Sequence, residues 1–356
     1  MSVSVIMLTK KQIADLRERL QEFQNPLFLY DNDADGLCSF LLLRRWLGRG
    51  SGVAIRSYPE LDESYAKKAA ELNSDAIVVL DKPVLSQEFI DYVHSMSLPF
   101  VWIDHHDVGL PNIYPDMTVY NPALNEGVNK SNEPVTYICY SITERKEDIW
   151  IAIAGCISDH YLPDFHKDFK KKYPELWGKV KKPFDAYFGT EIGNIAMALN
   201  FGIKDKTGNI ENMQNYLLKC KGPADVLSEN EENSQFRQNV SRLKGKFDSL
   251  FAEATQDTSG NIIFFEYGGD TSMSTELSNA LSHKYPEKYI IVIYRKEGIA
   301  SVSIRGKNVK SMLSSIIPKI ENSTGGGHND AVGARIPLSK IEDFRNLFRE
   351  AVSEGF

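Results

Sequence analysis

A chain of 356 residues is long for one domain and typical of two, each with enough material for its own core. Hydrophobic residues at 42% and charged residues at 25% exclude a disordered or fibrous chain, and no apolar run approaches the ~18 residues of a membrane span. The net charge of -7 argues against a wide basic surface holding long duplex DNA by counterion release, but leaves room for a small basic pocket.

The opening stretch, "MSVSVIMLTKKQ", has too short an apolar run for a signal peptide, so a cytoplasmic protein is expected. Cys38, Cys139, Cys156 and Cys220 are widely spread with no C-x-x-C pair, which fits buried free thiols in a reducing compartment. Thr9 with Gln12 three residues on predicts a capping box ahead of a helix with Ile13, Leu16, Leu20 and Phe23 on one face. Short apolar runs follow: "LFLY" at 27–30, "AIVVL" at 76–80 and "FVWI" at 100–103. They are continuous rather than alternating, as expected of strands buried on both faces of a parallel sheet. Amphipathic stretches near 37–48, 62–73 and 86–96 lie between them. This alternation predicts an N-terminal doubly wound, mainly parallel α/β domain over 1–165.

Residues 166–257 change character. They carry lysine-rich and acidic patches and little strand signal, and Phe236, Val240, Leu243, Phe247, Leu250 and Phe251 mark one face of a long helix. The segment reads as a helical extension and connector. Strand signal returns in "NIIFFEY", "YIIVIYR" and "IASVSIRG", with helices expected around 273–284, 309–320 and 339–352. That predicts a smaller C-terminal α/β domain over 258–356.

Four polar clusters end these elements: Asp31, Asp33 and Asp35 in "DNDADG", Asp81 in "VVLD", Asp104 to Asp107 in "DHHD", and Asp159 in "GCISD". Singly, each has a plain reading, since an aspartate after a strand is most often a cap or turn former. Together they would repel one another at the same sheet edge unless a cation sits among them. Oxygen-rich ligands with imidazole and no thiol suit Mn²⁺, with Mg²⁺ the alternative. Two such ions ~3.5–4 Å apart stabilise both the attacking and the leaving oxygen of a phosphoryl displacement, and a carboxylate such as Asp81 can bridge them. Farther on, "STGGGHNDAVGARI" offers Gly325, Gly326 and Gly327 as a loop whose backbone N–H groups can close on an anion, with His328 beside them. Arg305, ending "SVSIR", is the natural guanidinium for the same phosphate.

These ordered motifs resemble the DHH superfamily of phosphoesterases, which includes RecJ-type exonucleases, nano-RNases, cyclic-dinucleotide phosphodiesterases and exopolyphosphatases. "GGGHNDAVGARI" resembles the signature of the DHH-associated C-terminal domain, which carries substrate. The resemblance spans roughly 25–160 and 260–350, and Gly36 after Asp35 leans toward its nuclease side. It implies that Asp33 and Asp81 hold one metal, and that Asp35, Asp81, His105 and Asp159 hold the other. His106 would contact the scissile phosphate or assist the leaving group, and Asp104 would orient the histidines. One position departs from the pattern. The family's histidine four residues before Asp33 is Leu29 here, so Asp31 or water would complete that site.

The resemblance implies a metal-dependent phosphodiesterase acting on short single-stranded RNA or DNA, or on dinucleotides. The alternatives are a cyclic-dinucleotide phosphodiesterase, a processive RecJ-like exonuclease, a polyphosphatase and a silent replication scaffold. The clustered carboxylates speak against the scaffold. Polarity and oligomeric state, a homodimer included, are left open.

Overall fold

The computed structural model describes residues 8–57, 60–125 and 133–354, with the backbone but not the side chain of His328. The chain folds as two units, Met1–Val240 and Ser241–Phe356.

In the first unit, five strands pair entirely in parallel: β1 (Pro26–Tyr30), β2 (Ser51–Ala54), β3 (Ala76–Leu80), β4 (Phe100–Ile103) and β5 (Met117–Tyr120). Their order is β2-β1-β3-β4-β5. β1, β3 and β4 are buried at every residue, which is why they read as unbroken apolar runs. Helices Glu63–Glu71 and Gln87–Ser95 cover one face, where Ala66, Ala69, Phe89, Ile90 and Val93 meet Leu27, Leu29, Ile77 and Val79 in one core. Helix Ala34–Leu47 covers the other, and its Phe40 ring stacks on Tyr30 with centroids 5.1 Å apart. Helices Val135–Thr143 and Ile149–Ser158 pack against it in turn. The predicted capping box is present: Thr9 N–H donates to Gln12 Oε1 at 2.8 Å, and Gln12 N–H to Thr9 Oγ1 at 3.2 Å.

Residues 166–257 are helical throughout their secondary structure, and up to Val240 they belong to this first unit. Helix Glu191–Gly202 packs on Ile149–Ser158, and Gln214 of helix Thr207–Lys219 hydrogen-bonds the Tyr30 hydroxyl at the end of β1. Arg45 clamps that helix from below. Its Nη1 reaches the carbonyls of Leu217, Leu218 and Cys220 at 3.3, 2.9 and 2.8 Å, while its Nη2 lies 2.8 Å from the fully buried Asp148. Breaking one side of a buried ion pair costs about 3–5 kcal/mol. Arg145 still holds Asp148 at 2.7 Å, so Arg45→Met is expected at the low end, ~3 kcal/mol, as a lowered urea midpoint.

The second unit holds β6 (Ile262–Gly268), β7 (Tyr289–Lys296), β8 (Ile299–Arg305), β9 (Thr324–His328) and β10 (Ala331–Pro337), in the order β6-β7-β8-β10-β9. Only β6 and β7 are parallel. Helices Val309–Ile316 and Ile341–Ser353 bury Met312, Leu313, Phe344 and Phe348 against Ile291, Val302 and Ile304. One expectation is corrected here. The glycine run read as a loop is β9, the edge strand paired with β10, and its lack of side chains had hidden the period-two pattern.

All four cysteines are buried and free, and among the described residues no helix is long and apolar enough to cross a membrane.

Candidate metal centre

The sheet register builds the centre. Tyr30, Leu80, Ile103 and Tyr120 lie opposite one another across β1, β3, β4 and β5. The next residues continue the row: Asp31 N–H donates to Leu80 O at 3.1 Å, Asp81 N–H to Ile103 O at 3.0 Å, and Asp104 N–H to Tyr120 O at 3.1 Å. Asp31, Asp81, Asp104 and Asn121 therefore form one line at the carboxyl edge. β1 and β3 are the strands from which the chain winds in opposite directions, the crevice where open α/β sheets take ligands.

Local chemistry then places each side chain. Asp33 is also the helix cap of its plain reading, accepting from Gly36 N–H at 3.0 Å. Gly36 is dictated by space, because a Cβ there would lie 2.5 Å from the Asp31 carbonyl oxygen. Asp35 is buried and its two oxygens accept from Val135 N–H at 2.9 Å and Thr136 N–H at 2.8 Å. Asp81 turns the chain at φ 60°, a left-handed conformation that aspartate tolerates better than most residues. His105 Nε2 stands 3.5 Å from Asp81 Oδ1 and 3.8 Å from Asp159 Oδ2. These are long for hydrogen bonds but close to the separations, ~3 Å and more, of neighbouring ligands each 2.0–2.2 Å from one ion. Two sets bring their ligand atoms within 4.8 Å of one another: Asp81, His105 and His106, and Asp35, His105 and Asp159. Asp31 and Asp33 fall outside both sets.

The electrostatics match a site made for cations. Burial, then the charges of Asp31 and Asp35, push Asp33 up to about 7. Burial pushes Asp35 up to about 6 against the hydrogen bonds of Thr136 and Val135. Burial and neighbouring carboxylates raise Asp81 and Asp159 well above the usual range, although Asp159 keeps 40% of its side chain exposed. Burial lowers His106, but the Asp104 hydrogen bond and charge outweigh it and bring it up to about 9. His106 Nδ1 lies 2.9 Å from Asp104 Oδ1, and Asn121 Nδ2 donates to Asp104 Oδ2 at 3.3 Å and to the His106 carbonyl at 2.9 Å. The donor set, carboxylates with imidazole and no thiol, fits Mn²⁺ or Mg²⁺. Sequence reading missed Asn121, the Val135 and Thr136 donors and Lys82, whose Nζ lies 3.2 Å from Asp31 Oδ1.

In the second unit, Arg305, Ala331 and His328 align across β8, β10 and β9. Arg305 Nε donates to Asn279 Oδ1 at 2.7 Å and Nη1 to the Ile304 carbonyl at 2.8 Å, and burial lowers its pKa to about 10. The three glycines differ. A Cβ on Gly325 would lie 2.9 Å from Leu313, and Gly327 has φ 139° with Ala331 O 2.6 Å from a Cβ. A Cβ on Gly326 would meet nothing within 4 Å. The His328 side chain lies outside the described residues.

Residues 27–158 match the DHH family, N-terminal domain, and residues 257–354 match the DHHA1 domain. The chain carries a DHH-family N-terminal domain followed by a DHHA1 domain. Its fold is similar to RecJ in complex with Mn²⁺ from Thermus thermophilus, at 16% identity and TM-score 0.69 over 99% of this chain. It spans only 56% of that RecJ. A second solved structure, exonuclease RecJ bound to manganese, matches at 16% identity and TM-score 0.60 over 99% of this chain and 96% of its own. CDC45 from Entamoeba histolytica matches at 9% identity and TM-score 0.51 over 97% and 99%. No curated protein matches the chain by sequence. At these identities the likeness shows a shared DHH fold, an α/β N-terminal unit followed by a mixed-sheet unit.

Proposed function

We propose that this DHH-family phosphoesterase is a metal-dependent phosphodiesterase that removes nucleotides one at a time from short single-stranded oligonucleotides. The observation that carries the reading is that Asp35, His105 and Asp159, and likewise Asp81, His105 and His106, bring ligand atoms within 4.8 Å of one another beside the β1–β3 crevice. In this reading Asp35, Asp81, His105 and Asp159 would hold one divalent ion, and Asp33 with Asp81 a second. When bound, such ions polarise phosphoryl oxygens and make water a nucleophile at neutral pH. His106 keeps one proton at Nδ1 on Asp104 and can give another from Nε2 to the leaving oxygen. Asp104, itself held by Asn121, positions that ring.

In the second unit, Gly326 supports a phosphate cradle. The fold makes no steric demand for glycine there, so the missing side chain is explained by close approach of an anion. Gly326→Ala is expected to leave the melting temperature unchanged while lowering kcat/KM roughly tenfold, about the worth of one charge-assisted contact. Wild-type kinetics in that variant would remove the cradle.

The net charge of -7 favours short substrates, because few phosphates can be neutralised. The test is the full chain plus Mn²⁺ against labelled RNA and DNA of two, five and ~30 nucleotides, a cyclic dinucleotide and polyphosphate, at several salt concentrations. Highest kcat/KM on two to five nucleotides with mild salt dependence is expected. Equal efficiency on the long strand with a steep salt slope would favour a RecJ-like exonuclease, and no hydrolysis of any diester would end the reading.

A further inference from the structure

Lysine is almost never buried unless it is paired, yet Lys82, directly after Asp81, is only 4% exposed. Its Nζ sits 3.2 Å from Asp31 Oδ1 and 3.2 Å from the Ser57 carbonyl oxygen. Its own carbonyl accepts from the buried Trp102 Nε1 at 3.0 Å, which fixes the lysine backbone to β4. The left-handed turn at Asp81 thus delivers a carboxylate and an ammonium in succession to the same acidic edge.

The ligand-spaced sets contain neither Asp31 nor Asp33, and both depend on His105. His105 Nε2 is the nitrogen near both Asp81 and Asp159, and one imidazole nitrogen has one lone pair to give one ion. Leu29 on β1 offers no donor. Both ligand-spaced groups therefore serve one ion position at His105, while the Asp31 flank already carries the Lys82 ammonium. We infer that the Lys82 ammonium, held on Asp31, stands in for a second tightly bound divalent ion. The free enzyme then holds one ion tightly at Asp35, Asp81, His105 and Asp159, and a second only weakly. The inference rests on the metal-dependent reading above, and it reassigns Asp31 from metal ligand to lysine partner.

The test is Mn²⁺ titration of the full chain, stripped by chelator, with unbound Mn²⁺ followed by electron paramagnetic resonance. Wild type should bind one ion tightly and a second at least ~10-fold more weakly, since a fixed charge a few ångströms away repels a dication strongly. Lys82→Met should tighten the second ion by ~10-fold or more for the same reason. Lys82→Gln, which can still hydrogen-bond Asp31 and the Ser57 carbonyl, gives the same readout should the methionine variant fail to fold. Asp31→Asn should leave the tight ion essentially unchanged. A lysine serving only the fold would move melting temperature without moving the second ion's affinity. If that affinity stays put in the Lys82 variants, or if Asp31→Asn loses the tight ion, the inference is overturned while the metal-dependent reading stands. A wild-type chain that binds no Mn²⁺ overturns both.

Discussion

Asp81→Asn is expected to lower kcat with Mn²⁺ by at least ~10³-fold, because several kcal/mol of charge stabilisation is lost at ~1.4 kcal/mol per factor of ten. Asparagine is the informative replacement. Asp81 sits at φ 60°, where alanine adds a backbone cost of about 1–2 kcal/mol unrelated to metal. Asparagine keeps the shape and tolerates that conformation. It also removes a buried charge from the company of Asp35, Asp33, Asp31 and Asp159. Metal-free stability should therefore be unchanged or raised while activity collapses. Near-normal turnover by Asp81→Asn would remove the metal mechanism.

The metal-free protein should melt at lower temperature as pH rises from about 5 to about 8. The sign follows from two kinds of shift. Asp33 and Asp35 are raised to about 7 and about 6, so the folded state holds these protons more tightly than the unfolded chain does. Their contribution is full below the unfolded value near 4 and is lost as pH rises through the folded values. His106, raised to about 9, contributes fully below its unfolded value near 6.5, and that contribution is lost as pH rises through about 9. Both act in one direction across the window. Mn²⁺ takes the place of those protons, so its stabilisation should be larger at pH 8 than at pH 5. At a hundred times its dissociation constant an ion adds ~2.7 kcal/mol, or roughly 5–10 °C in a domain of this size. Calorimetry with and without Mn²⁺ checks both slopes. A metal-free melting temperature that climbs from pH 5 to 8 would contradict the burial of these carboxylates.

β1, β3 and β4 were legible because burial on both faces leaves an unbroken apolar run. β2, "SGVA", and β5, "MTVY", were not, because edge strands are only half-buried. In β2 the glycine at 52 makes room for the Phe40 ring, so a packing requirement reads as a turn residue. The candidate carboxylates and histidines drew notice by their place at the ends of strands and, for Asp159, of a helix. What holds them was not legible. Asp35 is held by the backbone N–H groups of Val135 and Thr136, and a backbone donor leaves no mark in the sequence of side chains. Nothing in the sequence marks Lys82 as buried, and only the fold shows it turned inward onto Asp31.

The in-register row at the carboxyl edge also has an order in time. Synthesis runs from the amino end, so Asp31, Asp33 and Asp35 emerge first, then Asp81, then the two histidines, and Asp159 last. Until residue 159 has left the ribosome, a nascent first unit can pair its strands but lacks one member of the Asp35, His105 and Asp159 group. Lys82 is synthesised immediately after Asp81, ahead of both imidazoles. The growing chain thus carries its own counter-charge to the acidic edge before either ligand-spaced group is complete.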